Sequence, residues 1–486
     1  MAPTIAILGA GPAGLALALK LRQRPDPPRV VVIEEEPQVG GLATSFLHEG
    51  IPFDYGSRYL SDAVRADILA DVQALLGEDL LYRQRQARAL IEGRFLDYPI
   101  DTRDLMKEMP LKFALRFGRD LLSAPTRRMQ PNATSYAEVL LSSLGPTLCE
   151  AFYFPFAQKL WGLPPDELAA GQALRRVAAD NAIKLPQRMP WALPGTEAPS
   201  VGHHYYYPRH GLGQISLAMA RQVRKLGGEI YLSTEIPRVD VKNGRVIVLW
   251  LAPREEGASA IEGGSIRPDV VFSTIPVSNL IAMIYPPPPA IIRERVGQLR
   301  YRAMRFCYLI LGVDRLTPYD THYFPQADLC FSRVSEPKNY VGTEEPRGRT
   351  GLCAEIPFSP GEPVDSASEE ELAEMVLGDL ARAGLDVADA PLEHAFTRRC
   401  EQAYPVHDLS MAENLAAAHD HLATIGNLVS LGRQADFVHD ALHHTLEMAY
   451  VAAECLEDDE KGGVRWNKAR WQERRQLFAE RVVIDG

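Results

Sequence analysis

The first 41 residues constrain the fold of this chain more than any other stretch. An apolar run, Ile5-Ala6-Ile7-Leu8, breaks into Gly9-Ala10-Gly11-Pro12-Ala13-Gly14 and resumes as Leu15-Ala16-Leu17-Ala18-Leu19. A second β-branched run, Val30 to Ile33, ends on Glu34, twenty residues after Gly14. Strand, glycine turn, helix, strand and acid in that order form the fingerprint of a dinucleotide-binding unit. Gly9 permits the tight turn, Gly11 lets backbone N–H groups approach a pyrophosphate, and Gly14 lets the helix pack on the sheet. The helix N-terminus offers its dipole to the phosphates. Glu34 is placed to accept from a ribose hydroxyl.

Glu34 is followed, after five intervening residues, by Gly40-Gly41. An acid followed by a glycine pair resembles the two-dinucleotide-binding-domain flavoproteins, the amine oxidase and protoporphyrinogen oxidase group. In that group the second glycine pair runs beside the FAD phosphates. An NAD enzyme has no need of it, so the resemblance implies FAD.

At 486 residues the chain exceeds one hydrophobic core, and two or three packed units are expected. The net charge of −11 argues against a nucleic-acid partner and means that an anionic substrate needs a local arginine cluster. Six cysteines, at 149, 307, 330, 353, 400 and 455, show no C-x-x-C or ligand spacing. Reduced thiols in a cytoplasmic protein and no metal site are the expectation. The neighbouring pairs His203-His204 and His443-His444 do not alter this, since sequence neighbours need not face one ion. The apolar N-terminus lacks a basic leader and is not read as a signal peptide. No run of about 18 apolar residues occurs, so neither a membrane span nor a membrane partner is expected.

The order of elements predicts an α/β fold: a Rossmann-like FAD-binding domain, a helical insertion and a mixed β-sheet substrate domain. The FAD-binding parts are placed at 1–101, 201–285 and 405–457, the insertion or lid at 102–200, the substrate sheet at 286–404, and a helical tail at 458–486. Thr44 to Leu60 reads as a hairpin arm, followed by a helix to Leu76. In the flavoproteins this chain resembles, the Asp54-Tyr55-Gly56 turn lies near the flavin ring, which would put Arg58 beside it. Helical spacing begins at Leu105 and continues through Met109, Phe113 and Phe117. Pro, Gly and Trp crowd Leu185 to Val201, a predicted loop. The glycine strand at Gly426 is expected to face the flavin, as it does in this superfamily. Trp471, Phe478 and Val482 recur at helical spacing in the tail, either packing on their own domain or meeting a second copy.

Within the insertion and the sheet region the likeness narrows. Phe154-Pro155-Phe156-Ala157-Gln158-Lys159-Leu160-Trp161, then Arg176, is similar to UDP-galactopyranose mutase, especially its eukaryotic-type branch. Tyr323-Phe324-Pro325, Arg333 ten residues on and Tyr340 seven further resemble that family's diphosphate-binding tyrosines and arginine. Tyr404-Pro405 and Gly432-Arg433 extend the likeness. It implies that Trp161 lies by the uridine and that Arg176 sits on a closing flap. Arg176, Arg333 and Arg433, with Tyr323, Tyr340 and Tyr404, would hold a nucleotide-sugar diphosphate; guanidinium groups and tyrosine hydroxyls suit that task. Arg433 would also touch the cofactor.

The departures lie at the base and the flavin. Asp54-Tyr55-Gly56-Ser57-Arg58 replaces a Gly-Gly-His pattern, and Ala157 stands where an asparagine holds uracil. Asp101 of Tyr98-Pro99-Ile100-Asp101 stands for a glutamine, and His439 for a late tyrosine. Tyr98, Asp101 and His439 are therefore candidate substrate contacts for an altered base or sugar.

The likeness implies a mutase requiring reduced FAD, whose flavin N5 attacks the anomeric carbon and displaces the nucleoside diphosphate during pyranose–furanose exchange. The alternative is an oxidoreductase that passes hydride from a small molecule to oxidised FAD. A flavin-binding scaffold is the third reading. The partner expected is an anionic nucleotide sugar, with a homo-oligomer possible.

Overall fold

The computed structural model describes residues 2–100, 102–124, 127, 133–177, 204–254, 263–458 and 463–479. Asp101, the loop predicted over 185–201, His203 and Val482 lie outside these, as does the Arg176 side chain.

The N-terminal fingerprint folds as its spacing requires. Five parallel strands stand in the order Glu229–Tyr231, Arg29–Ile33, Thr4–Leu8, Val270–Ser273 and Leu428–Ser430. Both faces are covered, so the strands are apolar throughout instead of alternating. Ile5, Ile7, Val30, Val32, Val270 and Phe272 enter one core with the helices. Ala6, Leu8, Val31, Ile33 and Val271 enter another, under a four-stranded sheet that includes Thr234–Lys242 and Arg245–Pro253. The first helix, Pro12–Arg22, is buried almost all round between Gln214–Lys225 and Leu442–Glu454, which explains its unbroken Leu/Ala composition.

A seven-stranded sheet forms the second body. Its order is Leu392–Pro405, Tyr301–Leu311, Thr350–Phe358, Arg333–Ser335, Thr321–Tyr323, Ala87–Ile91 and Arg94–Tyr98. All neighbours are antiparallel except Thr321–Tyr323 with Ala87–Ile91. The sequence places 87–98 within the first nucleotide-binding part; the structure puts this hairpin in the substrate sheet, because Ala87–Ile91 pairs with a strand more than 200 residues away.

Met304, Phe306, Tyr308 and Ile310 face the helical insertion. Cys307, Leu309 and Leu311 face the helix Glu369–Arg382. The insertion comprises Thr102–Glu108, Leu111–Ser123, Tyr136–Leu144, Phe154–Trp161 and Ala170–Val177. Tyr136–Leu144 opens on a capping box of Ser135 and Glu138, which satisfies two helix-end donors reciprocally.

The tail differs in part from the helix expected. Leu456–Asp458 and Val464–Trp466 pair as a hairpin before the helix Lys468–Ala479. Trp471 and Phe478 are buried in the nucleotide-domain core. All six cysteines are free.

The tightest point of the fingerprint is Gly14, where a Cβ would overlap the carbonyl oxygen of Gly9. Gly14→Ala must push the first helix off the sheet. We expect a loss of about 2–3 kcal/mol in unfolding free energy, read from urea titration. An unchanged midpoint would show that the helix has room to yield.

Candidate active site

One cavity of about 560 Å³ runs from the glycine fingerprint to the substrate sheet. Gly9, Gly11, Glu34 and Gly41 line one end; Tyr323, Arg333, Tyr404 and His439 line the other. Arg58, Thr274, Ile275 and Arg433 lie along it, and Phe156 and Leu160 of the insertion complete the wall.

At the nucleotide end, the Gly9 turn crosses so close to the neighbouring strand that a Cβ would come within 2.5 Å of Thr274 Oγ1. Gly11 is the opposite case: a Cβ there would meet nothing within 4 Å, so the backbone faces open space. Gly11 is also the N-cap of the first helix and lends it no side-chain cap. The second glycine pair lies directly against the first. Gly40 N–H donates to the Ala10 carbonyl at 2.9 Å, and a Cβ on Gly41 would sit 3.4 Å from Gly11 Cα. Gly40 and Gly41 take φ +119° and +51°, which a residue with a side chain adopts only under strain.

Glu34 accepts from Ala10 N–H at 2.7 Å and from Glu36 N–H at 3.0 Å. Burial raises its pKa, and the two backbone donors oppose that shift. An uncapped helix N-terminus, two facing glycine turns and a buried acid fit the pyrophosphate and ribose of a dinucleotide. Gly9, Gly11, Glu34 and Gly41 would hold FAD here.

At the far end a buried ion pair dominates. Arg333 Nη2 donates to Glu355 Oε2 at 2.6 Å and to the Tyr404 hydroxyl at 2.8 Å. Burial works against the guanidinium charge, but Glu355 more than restores it and holds the pKa well above the ordinary arginine value. The other Glu355 oxygen accepts from Ser57 N–H at 2.8 Å. A Cβ at Gly56 would meet that carboxylate at 2.6 Å.

Tyr323 is built similarly: its hydroxyl accepts from Arg85 Nη2 at 2.8 Å, and its ring stacks on Tyr98 at 4.4 Å. Arg58 and Arg433 are held more loosely, each donating to one backbone carbonyl, Tyr55 at 3.0 Å and Ala403 at 3.1 Å. Burial, then the nearby Arg58 charge, pushes Arg433 down to about 10.

The structure thus gathers Gly9, Gly11, Glu34, Gly41, Arg58, Tyr323, Arg333, Tyr404, Arg433 and His439 around one space. Gly14 and Gly40 support the turns from behind. Tyr98 and Trp161 stand one layer back, Tyr98 against Tyr323 and Trp161 against His439 at 5.7 Å.

Two candidates fall elsewhere. Tyr340 is buried in the nucleotide-domain core, its hydroxyl at 2.5 Å from Ser57 Oγ and 2.6 Å from Thr321 Oγ1. The short helix Pro337–Val341 turns it away from the cavity. Gly426 donates to the Gly244 carbonyl at 2.7 Å on the far side of the sheet edge. The glycine that reaches the cavity region is Gly432, where a Cβ would lie 3.3 Å from Ala13 Cβ.

Sequence reading missed Gln402 and Cys400, which line the cavity with Tyr404; a strand alternation does not single them out, since Arg399 and Glu401 line it too and the strand is bulged there. It also missed Glu355, a lone acid in the apolar run Leu352 to Phe358. Among the described residues one group has metal-ligand chemistry: His48, Glu49 and His394, with ligand atoms within 4.8 Å of one another. It lies outside the cavity; the two rings already bond each other at 2.9 Å, and Glu49 is paired with Arg349 at 2.5 Å.

The nucleotide end and the sheet that closes over it define a flavin-dependent enzyme. Residues 12–428 match the flavin-containing amine oxidoreductases, and the chain belongs to that family. It is 25% identical over 335 residues to a 4,4'-diapophytoene desaturase (4,4'-diapolycopene-forming) from Methylomonas sp, covering 65% of this chain and 62% of that one. It is 24% identical over 281 residues to a coproporphyrinogen III oxidase from Staphylococcus aureus (strain NCTC 8325 / PS 47), covering 53% and 59%. The chain therefore spans about three fifths of the length of these curated relatives. Its fold is similar to that of reduced UDP-galactopyranose mutase, with a TM-score of 0.76 at 19% identity over 93% of each chain.

Two outcomes follow from the polar groups. Glu355→Ala strands the buried Arg333 charge, and we expect about 3–5 kcal/mol lost in urea unfolding. Wild-type stability would mean that water or another acid replaces the pair.

Asp320, which accepts from Gln86 N–H at 2.9 Å and Tyr205 at 3.2 Å, is raised by burial to about 6. A raised carboxyl contributes stability fully below its unfolded pKa and loses it as pH climbs through the folded value. Relative to Asp320→Asn, the wild type should therefore lose up to about 3 kcal/mol between pH 4 and 7. A pH-independent difference between the two would contradict this.

Proposed function

We propose that this enzyme is an FAD-dependent mutase acting on an anionic nucleotide sugar. The observation that carries the reading is that Arg58, Arg433, Tyr323 and Tyr404 line the same cavity as the glycine fingerprint. Bound FAD supplies a nucleophilic ring nitrogen when reduced and a hydride acceptor when oxidised.

The chain's own contribution is to hold the diphosphate. Arg58 and Arg433 repel each other, and an anion between them removes that cost while adding charge-assisted hydrogen bonds. Tyr404 accepts from Arg333, so its hydroxyl proton is left to donate to the ligand, and Arg85 orients the Tyr323 hydroxyl at the same wall. Arg333, already compensated by Glu355, acts here mainly by positioning Tyr404. Phe156 and Leu160 keep water from the reacting centre.

A second reading, hydride transfer from an organic substrate, is favoured by one feature: the Arg333 charge is neutralised internally, which reduces the cation available to a diphosphate. Two sequence relatives, a desaturase and an oxidase, are named for redox chemistry.

Anaerobic incubation with a panel of nucleotide sugars, with and without dithionite, separates the two. An equal-mass isomer formed only with reduced flavin supports the mutase; no isomer, with bleaching of oxidised flavin by an organic substrate, supports the oxidoreductase. In either case Arg433→Ala should raise KM for an anionic substrate about tenfold or more with FAD content unchanged. Loss of FAD from the purified variant would instead assign Arg433 to the cofactor.

A further inference from the structure

The helix Leu111–Ser123 buries Phe113, Ala114 and Phe117 in the core beneath the substrate sheet, as an amphipathic helix should. It also turns a second apolar stripe outward. Leu111, Leu115 and Leu122 are 75%, 66% and 82% exposed. With Gly118 they follow i, i+4, i+7 and i+11, which is one line along a helix. Met106, 46% exposed on the preceding helix, reaches this line: its Cε would lie 4.0 Å from a Cβ at Gly118. Three leucines and a methionine in one row form a continuous patch, unlike the singly scattered apolar residues of an ordinary surface.

The flank of the stripe is basic. Lys107, Lys112, Arg116 and Arg119 are all exposed, and of these Arg116 is paired with Glu150 at 2.6 Å. The one acid of the leucine helix, Asp120, is buried and accepts from Thr147 N–H at 2.8 Å. This cluster stands out from a chain of net charge −11.

We propose that this face docks on an anionic lipid surface, the leucines entering the boundary between headgroups and acyl chains while the basic flank pairs with the headgroups. Charge decides the occupant. In an isologous contact that packs the two copies of this helix antiparallel, the basic flank of Lys112, Arg116 and Arg119 would face the same flank of the other copy, whereas an anionic bilayer complements it. Attachment is peripheral: among the described residues no helix is long and apolar enough to cross a membrane. The same helical insertion supplies Phe156 and Leu160 to the cavity wall, so the docked face and the active site belong to one packed unit.

The test is flotation of the full-length holoenzyme with vesicles of phosphatidylcholine, with or without phosphatidylglycerol. The wild type should rise with the anionic vesicles, less so at high salt, and not with phosphatidylcholine alone. Leu115→Ser/Leu122→Ser should lower the partition coefficient about tenfold or more with flavin absorbance and melting temperature unchanged. Lys112→Glu/Arg119→Glu, a surface change that spares the leucines, should lower it on anionic vesicles only. Failure of the wild type to float, or flotation indifferent to both variants, overturns the proposal. So does a wild-type dimer in sedimentation that Leu115→Ser converts to a monomer, which would assign the face to a second copy.

Discussion

The Arg333–Glu355 pair registers the two bodies of the enzyme on each other. Arg333 and Glu355 sit directly opposite on paired strands of the seven-stranded sheet. From there Glu355 reaches out to Ser57 N–H, and Arg333 to Tyr404. The loop so gripped, Asp54 to Arg58, leaves the hairpin arm and carries Arg58 into the cavity. It is pinned at Asp54 as well, by Tyr207 and Leu212 on the nucleotide side and by Tyr308 of the substrate sheet. Asp54 accepts from the Tyr207 hydroxyl at 2.6 Å and from Leu212 N–H at 3.1 Å, and its carbonyl accepts from Tyr308 at 3.0 Å. Desolvating two charges is costly, and hydrophobic replacements often match the stability of such a pair. Its value lies in geometry: an apolar contact would fill the space without fixing where the loop and Tyr404 stand.

What was legible in the sequence follows from how local each feature is. The fingerprint was legible down to Glu34 because strand, turn, helix and acid are contiguous, and each position has its own steric or electrostatic reason. Arg333, Tyr323 and Tyr404 came from the resemblance, and the sheet brings all three to the cavity. Glu355 was invisible as a partner, since the register of two strands is a tertiary fact. Tyr340 shows the opposite error. Its spacing from Arg333 is right, but the intervening helix directs the hydroxyl to Ser57 and Thr321, inside the core. Gly426 is expected at the flavin from the superfamily resemblance; only packing shows that Gly432 is the glycine that approaches Ala13 of the first helix. The hairpin 87–98 was assigned by sequence proximity, and its parallel partner strand could not be inferred across that distance.

The arginines in and behind the cavity differ in what holds them, and the difference bears on function. Arg85 and Arg333 are spent on orienting tyrosines, one beside Asp320 and the other bound to Glu355. Arg58 and Arg433 each have a single backbone acceptor and lie close enough for one charge to weaken the other. A site that leaves two guanidinium groups in mutual repulsion stores a preference for anions that is released on binding. An apolar substrate would add desolvation to that repulsion and relieve neither. The same cavity carries Arg399 and Glu401, already an ion pair, so their charges cancel locally. Arg58 and Arg433 line the same cavity without a hydrogen-bonded carboxylate, Arg433 lying over the Tyr404 ring and feeling Asp440 only through its charge. That arrangement favours an anionic ligand, and under the proposed mutase reading the diphosphate would be that anion.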